Sequence, residues 1–378
     1  MKILQVIPYF NPKKGGDVAV SYQLSKYLSQ MGHDVTIITS NNEFDVNYAN
    51  SLLNVNVIPF DCLINLNKLI ITPDMNKWLN NEINTFDIIH LHNFRTYQNS
   101  VIQYYAKKYG IPYILQAHGS LPRIIEKKGL KYLFDIFFGY RILRDASKVI
   151  ALTKTEAEQY KNMGVDENRI KILPNGIDLS EYEKLPDKGI FRMKYGIKGN
   201  EKIVLFLGRI HRIKGVDLLV ETFSDFANKT ENVKLVIAGP DDGFLSTLKG
   251  QIEYLQIGNR ILFTGPLYGL DKVEAFVDAD VYILPSVYET FPNTVLEACA
   301  CGTPVIVTDR CGISDIVENV GFVVEYDKEQ LEDAIIRILN DESLRREFGD
   351  NGKKLVRARF GWDKIVRTME IMYEDTKK

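Results

Sequence analysis

The sequence predicts an α/β protein made of two doubly wound, parallel-sheet halves. Short apolar runs of strand length alternate with helical stretches from residue 3 onward. That alternation is the signature of a parallel sheet with crossover helices. The turn-rich segment Pro174-Asn175-Gly176-Ile177-Asp178 and a polar stretch to about Asn200 interrupt the pattern, and it restarts at Ile203. A break of that composition reads as a linker. The 378 residues are also too many for one core and suit two domains.

The elements follow in order. Ile3 to Ile7 is a buried strand, and the loop Asn11 to Gly16 leads into an amphipathic helix from about Asp17 to Met31. Gly32-His33 ends that helix before the strand Val35 to Thr39, which completes a βαβ unit. Further strands are Val55 to Pro59, Ile88 to Leu91, Tyr113 to Gln116, Val149 to Leu152 and Ile170 to Leu173. In the second half Ile203 to Leu207 is a strand, Gly208 to Gly215 a loop and Val216 to Ala227 a helix. Strands follow at Val233 to Ala238, Ile261 to Thr264, Val281 to Leu284, Val305 to Thr308 and Phe322 to Val324. Trp362 to Thr376 is a last helix. Two such halves facing each other would make a cleft from two sets of strand ends, a natural place for a two-part ligand.

Composition excludes several classes. A net charge of -2 argues against wholesale nucleic-acid binding. No apolar run approaches the ~18 residues of a spanning helix. Pro8 stops the first apolar run too early for a signal peptide. Cys299, Cys301 and Cys311 do not have zinc spacing and read as buried thiols, and the four sparse cysteines, Cys62 included, fit a reducing compartment. A cytoplasmic protein is expected, with any membrane contact peripheral.

The stretch Tyr288 to Gly302 carries the chemistry. Glu289 and Glu297 stand eight residues apart with Phe291-Pro292-Asn293-Thr294 between them. They flank a strand-to-helix turn at the carboxyl end of a strand, where open α/β sheets bind ligands. The first-turn N–H groups of the helix suit a phosphate, and the carboxylates can accept bonds from hydroxyls. A ligand with a central diphosphate and a sugar at each end fits. The bland alternative is a capping box, Thr294 to Glu297, with Glu289 a solvated loop residue. Arg209 and Lys214 lie in the loop after the first strand of the second half, and both are expected to be exposed there. Arginine offers a fork to phosphate oxygens and lysine a point charge. Gly15-Gly16 occupies the equivalent place in the first half and admits close backbone approach. His118 follows the strand Tyr113 to Gln116 at the edge of the expected cleft.

These motifs together resemble the family-4 retaining glycosyltransferases of the GT-B fold, also called group 1 glycosyltransferases. The match includes the E-x7-E segment Glu289 to Glu297, the Gly208-Arg209…Lys214-Gly215 loop, Gly15-Gly16, Pro174 to Asp178, and Phe360-Gly361-Trp362. The resemblance implies an acceptor domain at 1–180 and a donor domain at 195–358. It also implies that the last helix, 360–378, crosses back onto the first domain. It implies that Arg209 and Lys214 hold the donor diphosphate, that Glu297 binds ribose hydroxyls, and that Glu289 contacts the transferred sugar. His118 would lie beside that sugar. Gly208, Phe291 and the N–H groups near Asn293 and Thr294 would meet the donor. Gly15 and Gly16 would approach it from the other domain, and Leu267 would line the base. The family often has glycine where Pro292 stands here, and proline has no N–H to offer.

The expected activity is therefore a metal-independent, retaining hexosyl or N-acetylhexosaminyl transfer. It would run from a UDP- or GDP-sugar to a lipid-linked or growing surface glycan, with no cofactor. A GT-B epimerase and a catalytically silent nucleotide-sugar sensor stay open beside it. A second expectation concerns Ser100 to Lys148, where nine Lys/Arg stand against three acids. Leu130, Leu133, Phe134, Phe137 and Phe138 recur there at helical spacing. Cations beside an aromatic face suit an anionic membrane surface through 123–148. The competing expectation packs that face on the first sheet.

Overall fold

The computed structural model describes residues 1–66, 69–124, 127–230 and 232–377. It divides into two compact units, Met1–Gly176 with Trp362–Lys378, and Ile177–Gly361. Each is organised around one parallel sheet covered by helices.

The first sheet contains β1 (Lys2–Val6), β2 (Asp34–Ser40) and β3 (Val55–Phe60). After a small antiparallel hairpin, β4 (Ile64–Leu66) and β5 (Leu69–Ile71), it continues with β6 (Ile88–His92), β7 (Tyr113–Gln116), β8 (Lys148–Ala151) and β9 (Ile170–Ile172). The strand order is β3-β2-β1-β6-β7-β8-β9. The chain therefore leaves β1 toward one edge and returns at β6 to build toward the other. The hairpin is not anticipated by the sequence pattern, because three-residue strands are too short to show an alternation.

Both faces of this sheet are buried, so its strands read as near-continuous apolar runs. The two-residue side-chain period divides them. Leu4, Ile89, Leu91, Leu115 and Val149 join the core on one face, and Ile3, Ile88, Ile114 and Ile150 join the core on the other. The second face is closed by the last helix, Trp362–Lys377, with Trp362, Ile365, Val366, Met369, Met372 and Tyr373 buried. Those positions repeat at three and four residues, which makes one apolar stripe. The helix packs on Gly16–Gln30 and is tied by His33 Nε2 to Glu370 at 2.7 Å. Gly176 makes room for it, since a Cβ there would stand 2.6 Å from the Trp362 ring.

The second sheet contains β10 (Lys202–Leu207), β11 (Val233–Ala238), β12 (Ile261–Gly265), β13 (Val281–Leu284), β14 (Val305–Thr308) and β15 (Gly321–Val324). Their order is β12-β11-β10-β13-β14-β15, all parallel. This is the doubly wound arrangement with its switch point between β10 and β13.

The basic, aromatic stretch of the first unit is helical from Lys128 to Asp145, with a π-helical turn at Asp135–Gly139. Ile125 and Glu126, at its start, lie outside the described residues. Its inward anchor is Asp135, fully buried, which accepts from Arg95 Nε and Nη2 at 2.8 Å each and from Arg123 Nε at 2.7 Å. Holding that carboxylate inside turns the apolar residues outward. Leu130 is 64% exposed, Leu133 51%, Phe137 57% and Phe138 47%. Of the five apolar residues named from the sequence, Phe134 alone packs partly on the core. The expectation that this face lies on the sheet is thus not met.

The last helix contributes the only tryptophan besides Trp78. Replacing Trp362 with alanine should cost about 3–5 kcal/mol, the usual loss for a buried large aromatic. Urea unfolding followed by Trp78 fluorescence measures it, and a loss below about 1 kcal/mol would show that the helix is dispensable to the first unit.

Candidate active site

In the second unit two loops meet at the switch point, one after β10 and one after β13. Gly215 makes the meeting possible. Its φ is +65°, and a Cβ there would lie 1.9 Å from the Pro285 carbonyl oxygen. With glycine in place, the turn Arg212–Lys214 rests on the end of β13, and Val287 N donates to Ile213 O at 2.8 Å. The Lys214 ammonium then reaches the Glu289 carboxylate as an ion pair. Lys214 is only 15% exposed, so its expected solvent-exposed position is corrected. The loop is drawn onto β13 instead of standing free. Arg209 does project outward, 52% exposed, and pairs with Asp242.

Glu289 is held by its backbone. Its carbonyl accepts from Gly312 N at 2.7 Å and its N–H donates to Arg310 O at 3.3 Å. A side chain so fixed, with 19% of its surface exposed, is not a solvated loop residue. The capping-box alternative is also not what forms. The helix runs Asn293–Cys301, the cap position is Pro292, and no side chain caps it. Thr294 lies inside the first turn, where Tyr282 Oη donates to its hydroxyl at 2.7 Å. Glu297 Oε1 accepts from Lys272 Nζ at 2.7 Å, and Oε2 is buried without a hydrogen-bond partner. An unsatisfied buried carboxylate oxygen is costly unless a ligand completes it.

The remaining donor-binding candidates fall around these loops. Gly208 follows β10 and donates its N–H to Ala238 O at 2.9 Å. Phe291 is buried, with its ring 6.2 Å from that of Phe360. Leu267 is buried just beyond β12. Lys272 and Asp242 were not legible as partners. They come from distant segments, and only the sheet order brings them near.

In the first unit Gly15 precedes the helix Gly16–Gln30. Asp17, in its first turn, accepts from Tyr9 Oη at 3.0 Å and from Asn93 Nδ2 at 2.8 Å. Asn93 follows β6, so the loops after β1 and β6 are joined at this sheet's own switch point. His118 follows β7 with a left-handed backbone, φ +51°. The next residue is fixed by Glu156, whose Oε1 accepts from Gly119 N and whose Oε2 accepts from Leu152 N, both at 2.7 Å. Burial pushes the Glu156 carboxyl up to about 7. Burial lowers His118 to about 4 and His90 to about 3, and takes His92 well below its ordinary value. The three rings are therefore neutral at physiological pH.

Among the described residues, no three His, Cys, Asp or Glu side chains cluster as a metal site. Cys299, Cys301 and Cys311 are buried and their thiols are pushed up to about 12 by desolvation. No helix among the described residues is long and apolar enough to cross a membrane.

Comparison with known proteins covers both units. Residues 14–181 match the model of Glycosyltransferase Family 4, and residues 187–355 match that of Glycosyl transferases group 1. A capsular polysaccharide biosynthesis glycosyltransferase of Staphylococcus aureus is 30% identical over 261 residues, 66% of this chain and 67% of that protein. The N-acetyl-alpha-D-glucosaminyl L-malate synthase of Bacillus anthracis is 26% identical over 377 residues, 96% of this chain and 95% of that protein. The crystal structure of Anabaena HepE in complex with UDP and glucose superposes with a TM-score of 0.83 at 20% identity, covering 99% of this chain and all of that one. At that identity the likeness is one of fold.

The neutral histidines give a pH dependence. The folded first unit keeps His90, His92 and His118 unprotonated, whereas the unfolded chain takes up protons below about 6.5. Stability should therefore fall as pH drops from 6.5 toward the folded values near 4 and 3. Glu156 works the other way: its contribution is complete below 4.5 and lost as pH rises through about 7. Three groups outweigh one, so the unfolding midpoint should drop between pH 6.5 and 5.5, before ordinary carboxylates titrate. Replacing His90 with asparagine should lower that slope by up to ~1.4 kcal/mol per pH unit. A flat profile for the wild type over this interval would contradict the buried neutral cluster.

Proposed function

The chain belongs to the group 1 glycosyltransferases of the GT-B fold, and we propose that it moves a sugar with retention from a UDP- or GDP-sugar to a hydroxyl of a lipid-linked or growing surface glycan. The observation that carries this reading is the switch point of the second sheet. There the Lys214–Glu289 pair, the outward Arg209 and a helix with no side-chain cap stand around the ends of β10 and β13. Breaking a sugar–phosphate bond puts charge on the leaving diphosphate. Arg209, Lys214 and the first-turn N–H groups of Asn293–Cys301 would stabilise it, since fixed dipoles and cations act where charge develops. Glu297 Oε2, buried and unpartnered, is suited to a ribose hydroxyl. Glu289 would contact the transferred sugar, and the family resemblance gives His118 a sugar contact as well. The departing phosphate would take the acceptor's proton on the same face. With cations supplied by the protein, no obligatory metal is proposed, and turnover should be unchanged by EDTA. The donor class is supported by the fold shared with HepE, a protein crystallised with UDP and glucose.

Arg209→Ala is the cleaner test of the phosphate role, because the side chain is half exposed. It should cost roughly 2.7–4 kcal/mol of transition-state stabilisation, as for the loss of one oxyanion donor. Near-wild-type turnover at saturating donor would remove Arg209 from the reaction. Lys214→Ala should lower both activity and stability, because Glu289 then loses its partner in a half-buried site. Glu297→Gln should weaken binding of bare UDP or GDP, whereas Glu289→Gln should affect the sugar-bearing donor more than the bare nucleotide. Donor consumption without an acceptor would favour an epimerase, and binding without consumption a sensor.

The acceptor side of the proposal rests on the outward apolar face of Lys128–Asp145. Ile136 and Tyr140 extend the exposed residues Leu130, Leu133, Phe137 and Phe138, and Lys127, Lys128 and Arg141 are exposed beside them. Apolar side chains flanked by cations fit an anionic bilayer, with each basic residue near the surface contributing about 1 kcal/mol. Co-sedimentation with anionic vesicles should fall with salt and with Lys127, Lys128 and Lys131 changed to Glu. It should also fall with Leu133 and Phe137 changed to Ser. Failure to bind either anionic or neutral vesicles, with a soluble acceptor fully used, would rule the membrane out.

A further inference from the structure

Beneath His118 lies a line of buried polar groups that the donor site as described does not use. His118 Nε2 is 2.9 Å from His92 Nδ1, with the two rings within 13° of parallel. His92 Nε2 is 2.6 Å from Gln5 Oε1. The Gln5 amide nitrogen is 3.4 Å from Tyr373 Oη, and that hydroxyl is 2.6 Å from His90 Nδ1. Gln5, His90, His92 and Tyr373 are essentially inaccessible. The groups come from β1, β6, the loop after β7 and the last helix of the first unit.

The direction of these bonds follows from one group. An amide oxygen can only accept, so His92 carries its proton on Nε2. A neutral imidazole has one N–H, so His92 Nδ1 is a bare acceptor. His118 must then donate from Nε2, which leaves His118 Nδ1 without a proton. On the other side the Gln5 amide donates to Tyr373 Oη, which lies 2.6 Å from His90 Nδ1. The donors run one way from His118 through His92 and Gln5 to Tyr373, with no clash of two donors or two acceptors. Burial keeps each ring neutral and so keeps the bookkeeping intact.

We propose that Gln5 and His92 are positioning residues that lock His118 in the Nε2–H tautomer, so that His118 offers only a lone pair, at Nδ1, to the substrate. This deepens the reading that places His118 beside the transferred sugar, and it rests on that reading. It also selects a substrate class. A lone pair accepts from an uncharged donor such as a hydroxyl and repels an anionic oxygen, so the sugar group at this position is a neutral donor and not a carboxylate or phosphate. The orientation of the partner nitrogen sets which ring nitrogen faces the ligand, as outer partners do for other functional histidines.

The test is a long-range 1H–15N correlation of the histidine rings in the free full-length protein at pH 7.5, with turnover measured alongside. The wild type should show His118 protonated at Nε2 and bare at Nδ1. In Gln5→Leu the fixed acceptor is gone, and His118 should become a mixture of tautomers. The kcat should fall roughly 10-fold or more, the order of loss for removing a histidine's outer partner, with the affinity for bare UDP unchanged. His92→Phe should do the same and serves if Gln5→Leu does not fold. Finding His118 protonated at Nδ1 in the wild type would overturn the proposal, and so would an unmoved tautomer in both variants. A shifted tautomer with undiminished turnover would leave the lock standing and remove His118 from the reaction, which sinks the reading beneath it and with it the selection for a neutral donor.

Discussion

The close approach of Gly215 to the Pro285 carbonyl is the contact on which the second unit's site depends. A side chain at that position would collide with backbone, which cannot move aside without shifting the end of β13. With the glycine there, the loop after β10 lies against the strand end beside it. The Lys214 ammonium meets the Glu289 carboxylate, and each half-buried charge neutralises the other. The pair is fixed on one side by the turn Arg212–Lys214 and on the other by the backbone bonds of Glu289 to Arg310 and Gly312.

The first unit uses the same topology to a different end. Its switch point joins the loops after β1 and β6 through the Asp17 carboxylate and Asn93, and the polar groups Gln5, His90 and His92 below it are buried. Tyr373 comes from the far end of the chain, on the helix whose apolar stripe closes the second face of the sheet. The same helix therefore completes a hydrophobic core and ends a hydrogen-bonded line that begins at His118. A change in its packing would be felt at that residue through directional bonds and not through bulk.

Asp135 shows how one buried charge can decide a surface. Its carboxylate is taken up by Arg95 and Arg123, while Arg95 also donates to the carbonyls of Ser120 at 2.5 Å and Leu121 at 2.8 Å. The loop that carries His118 and the helix Lys128–Asp145 are thereby anchored to one guanidinium. Leaving that carboxylate unpaired inside would be far more costly than exposing several apolar side chains. The outward face of leucines and phenylalanines follows from that balance.

The sequence by itself determined the two doubly wound halves and most strand positions, because buried parallel strands are apolar runs and their helices carry a periodic stripe. It also placed Arg209, Lys214, Glu289 and Glu297 beside strand ends, because the turns after strands are local features. Tertiary structure alone decided their partners. Lys272 for Glu297, Asp242 for Arg209 and the Gln5–His92–His118 line join residues 25 to 87 positions apart in the pairs that touch, and no local pattern encodes such a meeting. The outward turn of the Lys128–Asp145 face was equally out of reach. Helical spacing gives a stripe but not the side that is buried, and that side was set by a carboxylate whose arginine partners lie 40 and 12 residues away.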